Sequence, residues 1–379
     1  MARTAKKSGG LAFDWEEKGT CSVRFAEDAF GEGNTVVAEL LKELTGSDRP
    51  QVMLVADANV VQRTEGLGTR IGRYVQTHGI RLAGAPVVLG GGEKIKCDNQ
   101  QSVQRIVTAA LDAGIGANDV MLILGGGTLQ DVAGFAAAQI RGGVRLVRMP
   151  TTVAAMLDGA FAETAALDMP RLKDALRVTC RPSAVVIDPS FAKTVLDGVW
   201  RGGLGEAVRY AAVCDGPLVK KLAKNVQALK DRDMTAFSEL LQACVESRMK
   251  KGSTDFALWS AHRLESMSGY KMPHGYAVPI GICIDCAYAV ERQLMTEAEQ
   301  ELVCRTLAEC GALDGLSHSQ HLLRQTDGVL EGLDEWARAT GAQTLVMPKG
   351  LGKSAPEETP DRAVFDKVIK AFLSASAEG

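Results

Sequence analysis

In the first half of the chain, apolar residues fall into short, nearly continuous runs, separated by stretches in which they recur at helical spacing. The runs predict strands: QVMLVADANVV (51–61), which ends its apolar part at Asp57, APVVLGGGEKIK (85–96), VMLILGGG (120–127), VRLVRMP (144–150) and AVVIDP (184–189). The stretch around residues 99–114 predicts a helix. Strands that are apolar throughout and alternate with helices belong to a parallel sheet covered on both faces.

From about residue 192 the texture changes. GPLVKKLAKNVQALK and ELLQACVESRMKK carry helical periodicity, and strand-like alternation nearly vanishes. The pattern predicts an α/β domain over residues 1–191 and an all-helical domain over residues 192–379. The cleft between two such domains is the default ligand site. From about residue 350, GLGKSAPEETPDR reads as a polar loop before a last helix, and no internal repeat is evident. A length of 379 residues is in keeping with two domains.

Composition narrows the partners. A net charge of -3 provides no broad field for nucleic acid or anionic membranes, which leaves small molecules or further copies of the chain. Nine cysteines, an odd number scattered along a long chain, do not form a disulfide framework and point to a reducing compartment. The start, MARTAKKSGG, is basic with no apolar core behind it, and the longest nearly apolar run, residues 277–290, is broken by Asp285 and too short for a bilayer. The expected location is the cytoplasm. Cys283 and Cys286 form a lone CxxC within GICIDCAYAV, read as small core residues of a buried helix. His318 and His321, without a third ligand nearby, are read as surface residues.

Candidate chemistry begins at LGGGTLQDVAGFAAA (124–138), where a strand runs through three glycines into a helix with Asp131 near its start. Glycines let a diphosphate approach the backbone, and the free amides of a helix N-terminus favour anions. By itself the turn fits a phosphate site or a tight structural turn. Asp57, Glu93 with Lys96, and Thr151 and Thr152 with Asp158 also follow strands, where open parallel sheets bind their ligands.

These motifs resemble the 3-dehydroquinate synthase family of sugar phosphate cyclases, over about residues 51–290. The likeness rests on Gly125, Gly126, Gly127, Asp131, Gly134 and Phe135; on Gly92, Glu93 and Lys96; and on Pro150, Thr151, Thr152 and Asp158. IDPSFAKTV (187–195) and RGGLGEAVRY (201–210) extend it. The resemblance implies a tightly held NAD, a divalent metal (zinc or cobalt) and a homodimer. It also implies a reaction in which one alcohol of a phosphorylated seven-carbon sugar is oxidised, phosphate is eliminated, the hydride is returned and the ring closes by aldol addition.

Carried over by position, the NAD residues are Asp57, Glu93, Lys96, Gly126, Gly127, Asp131, Thr151, Thr152, Asp158, Lys173 and Thr194. Gln130 departs from the glycine many relatives have there. The implied metal ligands are Glu206 and His274, but the third falls on Leu258, which cannot bind a metal. His262, one helical turn away on the same face, could reach in, although relatives use this histidine on the substrate side. On the substrate side the resemblance implies Lys173, Arg209, Lys250 and, across a dimer interface, Arg141. A catalytic lysine is replaced by Thr164 beside Glu163, an asparagine by Asp174, a lysine by Arg209 and a glutamate by Tyr276. Three readings stay open: a cyclase with altered substrate or metal use, a degenerate NAD-binding homologue, and a metal-dependent polyol dehydrogenase.

Overall fold

The computed structural model describes residues 4–7, 10–13, 18–341 and 343–375. The basic start of the chain, read as lacking a leader, lies partly outside the described residues. Two short strands, β1 (Thr4–Lys7) and β2 (Gly10–Phe13), pair with each other there.

The predicted parallel sheet is present. It has seven strands: β3 (Ser22–Phe25), β4 (Gln51–Asp57), β5 (Arg81–Leu82), β6 (Val87–Leu89), β7 (Val120–Gly125), β8 (Arg145–Pro150) and β11 (Ala184–Ile187). They lie in the order β3-β11-β8-β7-β4-β5, and β6 also pairs with β4, all in parallel. Helices α1 (Val36–Thr45), α2 (Ala58–Arg63), α3 (Leu67–Thr77), α4 (Gln101–Asp112), α5 (Gly127–Gln139) and α6 (Val153–Leu157) connect the strands. β7 is buried along its whole length, which is why its sequence shows no alternation. Between β8 and β11 the chain makes an antiparallel hairpin, β9 (Thr164–Met169) with β10 (Leu172–Thr179).

The remainder is helical: α7 (Asp197–Cys214), α8 (Gly216–Lys230), α9 (Met234–Lys251), α10 (Leu258–Met267), α11 (His274–Glu291), α12 (Glu297–Glu309), α13 (Leu316–Leu323), α14 (Thr326–Thr340) and α15 (Arg362–Ala375). One correction falls here. The segment read as a polar loop after residue 350 contains β13 (Ser354–Glu357), which pairs with β12 (Leu345–Pro348). Four-residue strands are too short to declare a period in the sequence.

The apolar core on one face of the sheet, including Val153 and Met156, continues without a break through Trp200 and Leu204 of α7 to Ile280 of α11. The contact is tight because Gly203 meets Val153: a Cβ on the glycine would fall 2.3 Å from the valine Cβ. Cys283 and Cys286 are buried on α11, and all nine cysteines are free thiols. His321 is exposed. Among the described residues no helix is long and apolar enough to cross a membrane.

Candidate active site

Because β6, β4, β7 and β8 are parallel neighbours, their carboxyl ends open on one edge of the sheet. Asp57 ends β4 and caps α2 by accepting from the backbone N–H of Asn59 at 2.7 Å. Gly126 precedes α5, and a Cβ there would sit 3.0 Å from Cγ2 of Thr152; at Gly127 it would meet nothing within 4 Å. The N-terminus of a thirteen-residue helix therefore faces open space between Gly127, Thr152 and Asp57. Thr151 is buried with its hydroxyl unpartnered. A cradle of bare backbone, free amides and nearby hydroxyls suits a dinucleotide diphosphate. Gln130 does not intrude on it: its amide turns beneath the turn and donates to the carbonyl of Gly125 at 3.1 Å. Thr194 ends a 3-10 turn and donates to the carbonyl of Phe191.

A lattice of buried ion pairs adjoins this cradle. Nζ of Lys96 lies 2.9 Å from Asp131, 2.6 Å from Asp174 and 3.7 Å from Asp168. Nζ of Lys173 lies 2.9 Å from Glu93, 3.4 Å from Asp168 and 3.1 Å from Glu265 on α10. Burial disfavours both ammonium groups, but the surrounding carboxylates outweigh it and hold them charged. Burial raises Asp168 to about 6 despite the two lysines.

The hairpin supplies three members of this lattice through an irregularity. Its register shifts between Leu172 and Leu176, and Asp174 adopts a positive φ of 50°. Lys173 and Asp174, consecutive residues that a regular strand would point to opposite faces, both join the lattice.

Beyond Glu265 the network reaches the two histidines. Nδ1 of His274 lies 2.7 Å from Oε1 of Glu265, and its Nε2 lies 3.2 Å from Oε1 of Glu206. The pair at 3.2 Å is within ion-pair range but lacks hydrogen-bond geometry. Burial opposes the imidazolium, yet Glu265 and Glu206 raise His274 to about 10. Burial would raise Glu206, but Arg209 and His274 take it down to about 2. His262 is shifted the other way: burial lowers it to about 4, so it is neutral at pH 7. Donor atoms of His262, Glu265 and His274 lie within 4.8 Å of one another. Leu258, at the start of α10, packs against the apolar core.

Arg209 is almost wholly buried, and its guanidinium faces inward. Nε donates to Oε2 of Glu206 at 2.7 Å, Nη2 to Asp158 at 3.1 Å, and Nη1 to the carbonyl of Thr254 at 2.6 Å. Arg209, named above as a group for substrate, thus spends its donors on the protein. Lys250 is exposed on the last turn of α9, whereas Arg248, two residues earlier, is buried, bonded to Asp158 and stacked 5.4 Å from the Phe161 ring. Half a helical turn separates the two directions. Arg141 is exposed beyond the far end of α5, roughly 20 Å from Gly127 at 1.5 Å per helical residue, so it does not reach this chain's own cradle.

Like Arg248, Arg148 and Asp168 escaped the sequence reading. Arg148, buried in β8, donates to the carbonyls of Gly159, Ala162 and Cys180 and so shapes the turn after Asp158. Asp168 is buried within β9. Both are charges inside otherwise apolar runs, a signal of a buried partner.

Comparison with known proteins agrees with the geometry. The family models described as 3-dehydroquinate synthase N-terminal and 3-dehydroquinate synthase C-terminal match residues 86–201 and 203–324. A 3-dehydroquinate synthase of Shewanella pealeana is 26% identical over 296 residues, covering 75% of this chain and 81% of its own. Among solved structures, the 2-epi-5-epi-valiolone synthase ValA of Streptomyces hygroscopicus subsp. jinggangensis, with NAD+ and Zn2+ bound, superposes with a TM-score of 0.81 at 21% identity, covering 96% of this chain and 99% of that one. A 2-deoxy-scyllo-inosose synthase complexed with carbaglucose-6-phosphate, NAD+ and Co2+ gives 0.70 at 16% identity, covering 98% and 99%.

Proposed function

This chain belongs to the 3-dehydroquinate synthase family, and from that premise we propose that it is an NAD-dependent sugar phosphate cyclase with altered substrate and metal use. The observation that carries the reading is His274, held between the buried carboxylates of Glu206 and Glu265 and joined through Lys173 and Glu93 to the edge of the glycine cradle.

NAD, when bound, accepts a hydride from a substrate alcohol and later returns it. The amides at the start of α5 would hold its diphosphate, and Asp57, at the end of β4, would accept from ribose hydroxyls. Neutral His262 can accept the proton of the alcohol being oxidised. A ketone so formed acidifies the neighbouring C–H, which permits phosphate elimination and then aldol closure. Lys173, Glu265 and Glu206 hold His274 rigidly rather than meeting substrate themselves.

The residues present do not fit a three-ligand zinc site. Glu206 and His274 offer two donors and Leu258 offers none, while the group of His262, Glu265 and His274, whose donor atoms lie within 4.8 Å of one another, includes a Glu265 already bonded to Nδ1 of His274 and paired with Lys173.

A homologue that binds NAD without cyclising is the second reading. It is favoured by the pairing of Lys96, Lys173, Arg209 and Arg248 with carboxylates, beside Thr164 in the place of a lysine. Incubation with NAD and a panel of six- and seven-carbon sugar phosphates tests both. Phosphate release without net NADH supports the cyclase; net NADH indicates a dehydrogenase; bound NAD with neither product leaves the non-cyclising homologue.

A further inference from the structure

In relatives the metal is implied to tie three helices together, through the positions of Glu206 on α7, residue 258 on α10 and His274 on α11. Here the same three helices are tied by other means. Arg209 on α7 bonds Glu206 through Nε and the carbonyls of Thr254 and Phe256 through Nη1, at 2.6 and 3.4 Å, in the segment that enters α10. Asp285 on α11 accepts from the backbone N–H of Ala257 at 3.1 Å and from Nε1 of Trp259 at 2.9 Å, on either side of Leu258. Leu258 itself is given over to apolar packing.

The shape of the cation matters. An ammonium on a flexible stem offers a point charge, whereas a planar guanidinium can hold a carboxylate and two carbonyls at once in a fixed fork. Arg209 adds a fourth anchor by bonding Asp158 across the cleft. Glu206 is thereby charge-balanced and oriented through Oε2, with Oε1 turned toward Nε2 of His274.

We propose that Arg209 takes over the task of the metal: it neutralises and orients Glu206 and, with Asp285, fixes the start of α10 to α7 and α11, so that the site is assembled without a tightly bound divalent cation. The inference rests on the family reading for the meaning of position 258, and its test does not depend on turnover.

The wild-type protein, purified without chelator and dialysed, is analysed for zinc and cobalt, and its melting temperature is compared with and without EDTA. The expected result is less than about a tenth of an equivalent of metal, well short of a structural site, and an unchanged melting temperature. One retained equivalent, with a fall in melting temperature on chelation, overturns the proposal. Leu258→His with Arg209→Lys is expected to recover a cobalt d–d absorption band and a zinc-dependent rise in melting temperature, both absent from wild type. A folded double variant without either response also counts against the proposal, and if it does not fold the wild-type measurement decides. Metal-free protein that releases no phosphate would sink the cyclase reading alone; metal-bound protein that does release it would sink this inference alone.

Discussion

Gly202 and Gly275 meet backbone to backbone: a Cβ on Gly202 would lie 2.6 Å from the Cα of Gly275, and one on Gly275 would lie 2.8 Å from the Cα of Gly202. Gly202 is one turn before Glu206 on α7, and Gly275 follows His274 on α11. This contact lets the two helices approach closely enough to put the carboxylate 3.2 Å from the imidazole. Gly202→Ala is expected to destabilise the fold by about 1–3 kcal/mol through overpacking, measured by urea unfolding. Gly72→Ala is the control. Gly72 lies in α3 with nothing near its Cβ position, so its replacement should be neutral or slightly stabilising.

The glycine turn separates binding from folding. A Cβ on Gly125 would strike the Leu129 side chain at 2.5 Å, whereas one on Gly127 would enter the open cradle. Gly127→Ala should leave the melting temperature of the NAD-free protein unchanged while weakening NAD at least about tenfold, or about 1.4 kcal/mol. Gly125→Ala should lower stability. Calorimetric titration of NAD beside thermal unfolding distinguishes the two, and equal NAD affinity in wild type and Gly127→Ala would remove the cradle from the nucleotide site.

Lys173 is the link between the hairpin and α10, with three buried carboxylates around one ammonium. Lys173→Met leaves those carboxylates facing one another. Removing one partner from a buried ion pair costs about 3–5 kcal/mol, and a loss of that order is expected in denaturant unfolding at pH 7. A variant as stable as wild type would show that the hairpin is not held to α10 in this way.

Asp285 makes stability pH-dependent with a definite sign. Burial raises its carboxyl to about 7 in the folded chain, against 3.8 ordinarily. The protonated form is thus favoured by folding, and its contribution is complete below the unfolded value and lost as pH rises through about 7. Asp285→Asn turns an amide donor toward either Ala257 or Trp259 and should be the less stable protein in mild acid. Its deficit should shrink as pH rises from about 5 to about 8. Melting temperatures of both proteins across that range check this, and parallel curves would exclude Asp285 as the titrating group.

Sequence pattern disclosed the sheet because its cues are local. Runs such as VMLILGGG are buried on both faces and closed by glycine, so length and punctuation identify a strand without knowledge of its neighbours. Asp57, the glycine turn and Thr152 then fall at strand ends that parallel pairing brings together. The hairpin was not legible, because a shifted register turns Lys173 and Asp174 to one side and conceals the two-residue period.

By itself the sequence determined the fold class and the strand-end groups, since each follows from residue type or short-range period. Tertiary structure alone decided what the charges do. Whether Arg209 faces substrate or Glu206, whether Lys250 or Arg248 meets Asp158, and whether Asp285 only interrupts an apolar run or holds the start of α10 all depend on partners distant in the chain. A buried charge is defined by the group that neutralises it, and that group is supplied by packing.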